Sequence, residues 1–258
     1  MRVIAIANQK GGVGKTTTAI SLSAALAALG KRILLLDLDP QANATSGIGE
    51  EADSSMYYPL IGEARLEDQI RPTSHPNLSI VPSGMDLSGV EIELARRDDH
   101  LTFLRDMLQG VKQKGDFDYC ILDTPPSLGV LMTSSLASAD EVLIPLQCEY
   151  FGLEGLAKIV HIISQIRESG AAPDLELGGI LMTMYDGRTN LSRQVVDEVT
   201  KHFPDQIYER VIPRSIRIGE APSFGKTIFE HEPSGSGARA YMAVAHEFLE
   251  RHDDQPVD

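Results

Sequence analysis

Residues 3–7, Val-Ile-Ala-Ile-Ala, form an apolar run without alternation. After Asn8 and Gln9 come Lys10, Gly11, Gly12, Val13, Gly14, Lys15, Thr16 and Thr17, the last two opening a stretch of helical spacing over 16–29. A run apolar at every position is a strand buried on both faces, as in parallel sheets. Glycines let the following turn fold tightly enough for its N–H groups to converge at a helix N-terminus, where the helix dipole also favours an anion. A lysine followed by threonine completes a phosphate cradle: Lys15 neutralises β- and γ-phosphates and the Thr16 hydroxyl ligates Mg²⁺. A ligand-free glycine turn would explain one or two of the glycines. It does not explain strand, glycines, Lys-Thr and helix in that order.

The rest of the chain repeats the same alternation. Residues 32–36, 78–81, 119–122, 141–146 and 177–182 read as further buried strands, and 101–113, 153–169, 191–202 and 238–251 carry helical spacing. The expected fold is α/β: one domain over 1–251, with a mostly parallel twisted sheet flanked by helices on both faces. Segment 50–76 is the least regular, and the acidic residues 252–258 are expected to form a disordered tail. There is no internal repeat, no low-complexity tract, and no apolar run near the length of a membrane span. Cys120 and Cys148 lie in apolar runs without a CxxC partner, which fits small buried hydrophobes in a reducing compartment. With the first apolar run leading straight into the glycine loop, it reads as a strand and not as a signal sequence, and a cytoplasmic protein is expected.

Two acidic motifs close other strands. Asp37-Leu-Asp39-Pro-Gln41 ends the second, and Asp123-Thr-Pro-Pro126 follows Tyr119-Cys-Ile-Leu122. In an open α/β sheet the carboxyl ends of the strands line the ligand crevice, so Asp37, Asp39 and Asp123 fall near the glycine loop. Solvated strand ends and Asp-Pro turns are the bland alternatives. Beside a phosphate loop, Asp123 reads as a Walker B carboxylate facing Mg²⁺.

The common pattern GxxxxGK[ST] has glycine where this chain has Gln9, and no requirement for Lys10. That form resembles the deviant Walker A motif of the ParA/MinD family of ATPases, and the DxDPQ and DTPP elements match the same family. The segments 184–191, 211–217 and 220–226 resemble its chromosomal, Soj-like branch. The resemblance covers nearly the whole chain. It implies ATP and Mg²⁺ as cofactors, a slow ATP hydrolase, and a homodimer sandwiching ATP in which Lys10 reaches the partner's nucleotide. It further implies Asp39 as the residue orienting the attacking water and contributing to the metal site, with Asp37 in support. Pro213 and Arg214 fall beside the adenine. The implied partners are non-specific double-stranded DNA of the nucleoid and a ParB-type centromere-binding protein that stimulates hydrolysis, in chromosome or plasmid segregation.

The formal net charge is -14, which by itself opposes nucleic-acid binding. Between Arg188 and Lys226, however, seven basic side chains outnumber five acidic ones. Such clusters are usually solvated faces. Neither Arg188 nor Arg214 has an acid four residues later, and the resemblance places DNA contacts in these segments. Arg188, Arg214 and Arg217 are the first candidates, followed by Arg193 and Lys226.

Other uses of the same loop are less compatible. A MinD-like membrane regulator needs a basic amphipathic C-terminal helix, whereas 243–255 is acidic. A cluster-bridging ATPase like the nitrogenase iron protein needs a cysteine motif that is lacking around Cys120 and Cys148. With the first strand at residue 3, no N-terminal helix-turn-helix is expected.

Overall fold

A computed structural model of the chain describes residues 1–53 and 55–253. All six apolar runs form strands: β1 (Arg2–Ile6), β2 (Ile33–Asp37), β4 (Leu78–Val81), β5 (Tyr119–Asp123), β6 (Glu141–Gln147) and β7 (Glu176–Thr183). A seventh, β3 (Arg71–Pro72), lies in the irregular stretch. One sheet results, in the order β3-β4-β2-β5-β1-β6-β7. Among the described residues only the β3–β4 pairing is antiparallel. Pro72 suits this short edge strand, because proline cannot donate to a ladder on both sides.

The helices are α1 (Lys15–Ala28), α2 (Asn43–Gly47), α3 (Tyr57–Ile61), α4 (Leu87–Leu94), α5 (Phe103–Lys114), α6 (Val130–Ser138), α7 (Gly152–Glu168), α8 (Asn190–His202), α9 (Ile216–Glu220), α10 (Ile228–His231) and α11 (Ser236–Asp253). They cover both faces. Val3, Ala5, Leu34, Leu36, Cys120 and Leu122 point into a core closed by α4 to α8. Ile4, Ile6, Ile33, Leu35 and Ile121 point into the opposite core, closed by α1 and α11. Alternate residues of each strand thus feed different cores, so no residue of the run could be polar and the sequence shows no alternation.

Helix α6 escapes its sequence pattern for a related reason. It is buried nearly all round, and Ser134, Ser135 and Ser138 turn their hydroxyls back onto carbonyls of the same helix at 3.2, 2.5 and 2.6 Å. Satisfied in this way, buried serines replace the polar face that periodicity looks for. At the other end of the chain, α11 continues through Asp253, two residues past the predicted end of the domain. The remainder of the predicted tail, 254–258, lies outside the described residues. Helix α11 packs along α1, burying Tyr241, Val244, Ala245 and Phe248, and the Tyr241 hydroxyl meets Thr18 Oγ1 at 3.2 Å. Among the described residues no helix is long and apolar enough to cross a membrane.

Candidate functional site

The register of three neighbouring strands assembles the site. In β1 and β5 Ile6 pairs with Asp123, and in β2 and β5 Asp37 pairs with Asp123. The chain leaving β1 therefore enters the glycine loop beside two carboxylates at the same sheet edge. Gly12 and Gly14 adopt φ of 75° and 92°, a left-handed conformation in which a side chain is strained. A Cβ at Gly11 or Gly12 would meet nothing within 4 Å, so open space lies over the loop. Val13 is buried, and its carbonyl accepts a 2.8 Å bond from Thr183 Oγ1 of β7, which pins the loop between glycines. The first turn of α1 carries no acidic side chain and no side-chain cap, which leaves its N–H groups for an anion.

Lys15 starts α1 and is 7% exposed, its Nζ 3.4 Å from the carbonyl of Lys10. Burial lowers its pKa, while Asp123 and Asp39 act in the opposite sense. Asp37 is fully buried and pushed up to about 6, chiefly by burial, although Thr45 donates to it through both its N–H and its hydroxyl at 2.8 and 2.7 Å. Burial, followed by the charge of Asp37, also raises Asp123 well above the usual carboxylate range. Among the described residues neither of the two buried carboxylate oxygens of Asp123 has a hydrogen bond of normal length, although the Thr16 side chain acts on the carboxylate as a donor. A buried acid left in this way is costly unless a cation or donor completes it.

Magnesium fits this arrangement. No three His, Cys, Asp or Glu side chains among the described residues converge tightly enough to hold a metal themselves. The ion would rest on Thr16, on Asp123 and on phosphate oxygens, the usual way Mg²⁺ is shared between one or two carboxylates and a nucleotide. Asp39 follows β2 and is 7% exposed. Its N–H donates to Asp37 Oδ1 at 3.1 Å, its carbonyl accepts from Ser83 Oγ at 2.7 Å, and its Oδ1 accepts from the Gln41 N–H at 3.0 Å. Oδ2 of Asp39 accepts no hydrogen bond among the described residues, so one carboxylate oxygen stands ready for a further partner.

Several anchors of this site carry no signal in the sequence. Thr45, Ser83 and Thr183 are such anchors. So is Asn8, which holds the Lys10 N–H on its Oδ1 at 3.0 Å and donates to the Pro145 carbonyl at 2.9 Å. Lys10 itself turns to the end of β6, where its Nζ lies 3.4 Å from Glu149 Oε2 and 3.5 Å from Gln147 Oε1.

The basic candidates spread from the same sheet edge. Past β7, Tyr185 bridges Pro213, and the Arg214 N–H donates to the Tyr185 carbonyl at 3.0 Å, which brings the 185–188 and 213–217 loops together. Arg188 and Arg214 have no acid four residues later, yet both find acid partners elsewhere. Arg188 is held by Asp186, two residues before it, through bonds of 2.9 and 2.7 Å, and this guanidinium holds the Asp186 carboxyl down at about 2. Arg217 pairs with Glu220 at 3.0 Å, and Arg214 lies 3.5 Å from Glu149. The i,i+4 test suits continuous helices, whereas Arg188 sits in a turn and Arg214 meets another loop. Arg193 bonds Asn190 Oδ1 at 3.1 Å. Lys226 has no ion pair among the described residues and lies beside Thr17 and Ile20 of α1. In each of these ion pairs the arginine is exposed, so the contact costs little to exchange for another anion.

A family model described as an AAA domain matches residues 1–177. The chromosome partitioning protein ParA of Caulobacter vibrioides is 46% identical over 258 residues, covering 99% of this chain and 96% of that protein. The chromosome-partitioning ATPase Soj of Thermus thermophilus is 48% identical over 251 residues, covering 97% and 96%. Among solved structures, cobyrinic acid a,c-diamide synthase from Mycobacterium smegmatis, with bound ADP and magnesium, superposes with a TM-score of 0.84 at 36% identity, covering 98% and 96% of the two chains. On the strength of the loop, the two acidic strand ends and relatives matching over almost its whole length, the chain belongs to the ParA/MinD family of P-loop ATPases, among the ParA and Soj proteins.

Proposed function

We propose that the chain is a partitioning ATPase that uses ATP to close a homodimer, binds DNA through that dimer without regard to sequence, and is reset by hydrolysis. Gly11 to Thr17 cradle the phosphates, with Lys15 on the β- and γ-phosphates and Thr16 and Asp123 on Mg²⁺. Asp39 orients the attacking water and Lys10 serves the partner's nucleotide. Pro213 and Arg214 flank the base. On this reading the protein acts in the cytoplasm on the nucleoid, and a ParB-type protein stimulates it.

One observation carries the dimer. The sheet edge that holds the phosphate loop also bears large exposed apolar side chains: Met85 beyond β4, Leu128 beyond β5, and Tyr150 and Phe151 beyond β6. Parallel strands end at one edge, so these residues ring the crevice, where a nucleotide would be enclosed by a second copy. Sedimentation analysis with ATP, ADP and no nucleotide tests this directly. Dimers only with ATP are expected, and an ATP-saturated monomer would refute the reading.

The DNA proposal makes a quantitative prediction. Arg188 exchanges Asp186 for a phosphate, two arginines per dimer. Arg188→Ala is therefore expected to lower the salt dependence, d log K/d log[salt], by about 2 in magnitude and to weaken binding roughly 10-fold at low salt. A salt-titrated filter-binding or anisotropy assay measures both. Binding that is equally strong without nucleotide would break the proposed switch. An unchanged slope would remove Arg188 from the interface.

A MinD-like membrane role fares worse. The apolar face of α11 is already used against α1, and its outward side includes acidic Glu250. Co-flotation with anionic liposomes in ATP is expected to be absent. Recovery in the lipid fraction would reverse that conclusion.

A further inference from the structure

Glu91 reaches from the second turn of α4 to Gly129, the residue just before α6. Its Oε1 is buried and has no hydrogen-bond partner among the described residues. A Cβ on Gly129 would fall on that oxygen itself, 2.7 Å from the carboxyl carbon. Gly129 has a φ of -107°, which any residue adopts, so the glycine admits the carboxylate and is not needed to bend the chain. Behind it begin the N–H groups of α6, the first of which find no partner within a helix. No side chain caps this end, its first turn carries no acid, and Val130, Leu131 and Met132 are buried. An acceptor lacking a donor therefore abuts donors lacking an acceptor.

The two ends of this contact belong to the two acidic motifs. Gly129 closes the connection that leaves β5 at Asp123. Within it Thr124 is tied to the Ile6 carbonyl at 2.8 Å, while Pro125 and Pro126 have no N–H to give. Helix α4 begins at Leu87, shortly after Ser83, whose hydroxyl holds the Asp39 carbonyl. We propose that Glu91 is a positioning residue that caps α6 from another helix. When Mg-ATP binds at Asp123, Oε1 accepts an N–H of the first turn of α6 and fixes the connection after Asp123 against the segment that carries Asp39. The inference rests on the reading that Asp123 serves Mg²⁺. The helix dipole and the charge of the carboxylate both favour such a bond.

The test compares amide exchange over 127–133 with and without Mg-ATP, Mg-ATP affinity, single-turnover hydrolysis and the thermal stability of the nucleotide-free protein. In wild type, Mg-ATP is expected to slow exchange at the start of α6 roughly 10-fold, as one charge-assisted bond would. Glu91→Ala should lose that protection and about 10-fold in turnover, with affinity within about twofold of wild type. Glu91→Gln keeps an acceptor oxygen and should recover part of both. Gly129→Ala puts a methyl where Oε1 lies, so it should behave as Glu91→Ala does, and the double variant should be no worse than either. Absence of protection in wild type, or Glu91→Ala with protection and turnover intact, overturns the cap. So does a Glu91→Ala protein whose affinity, turnover and nucleotide-free stability all fall together, the mark of a merely structural contact. An Asp123→Ala protein that binds Mg-ATP as wild type does overturns the reading of Asp123, and leaves the cap to be judged on the Glu91 variants alone.

Discussion

Replacing Lys15 with alanine is expected to weaken Mg-ATP binding by roughly 100-fold or more, from a loss of about 3 kcal/mol in charge-assisted bonds to the phosphates. The lysine is buried where the loop enters α1, with Asp123 and Asp39 close enough to favour its charged form against the cost of burial. Without it, Asp37, Asp39 and Asp123 would face a polyphosphate with no protein cation between them. Lys15→Arg is expected to fail as well, because a planar fork does not fit a nearly closed slot shaped for one ammonium. Isothermal titration measures the loss, and thermal unfolding gives a second view. Nucleotide at 100 times the wild-type Kd stabilises the protein by about 2.7 kcal/mol, and a 100-fold weaker variant would keep only about 0.4. A Lys15→Ala protein binding within about threefold of wild type would remove the lysine from the phosphate site, since the loss rests on at least one such charged bond.

The central part of this site was legible because its chemistry is local. Loop, lysine and threonine are consecutive, and each acidic motif ends a strand whose apolar run is unmistakable. Once parallel order is assumed, Asp37 and Asp123 fall at the same edge of the sheet, and the observed strand order and register set them side by side. What the sequence could not show lies across long separations. Ser83 supports the Asp39 carbonyl from 44 residues away, and Glu149 meets Lys10 across 139. No spacing rule reaches that far. Helix α6 was hidden for a different reason, since a helix buried on all sides has no polar face to reveal its period. The arginines mark where a local rule misled. In the turn at Arg188 the partner lies two residues back, a geometry outside the i,i+4 test.

Asp39→Ala is expected to reduce turnover by roughly 10² to 10³-fold while leaving ATP binding nearly intact, so that ATP-bound dimers accumulate on DNA. The backbone of Asp39 is held from both sides, by Asp37 and by Ser83, and its Oδ2 is unclaimed among the described residues. A group fixed in this way can orient a water with little reorganisation, which is the contribution a loose phosphoryl transition state asks of it. Removing the side chain deletes one local bond, to the Gln41 N–H, worth about 1 kcal/mol, so the fold should survive. Asp39→Asn, which keeps the shape and can still accept at one oxygen, should retain the Gln41 contact and still lose turnover. The two variants therefore separate charge from structure. Single-turnover hydrolysis and sedimentation with ATP decide between the outcomes. Wild-type turnover in Asp39→Ala would strip the residue of its role in orienting water. An Asp39→Ala protein that hydrolyses slowly yet stays monomeric at saturating ATP would preserve that role but separate hydrolysis from dimerisation, and the switch would then have to be sought elsewhere than in the sandwiched nucleotide.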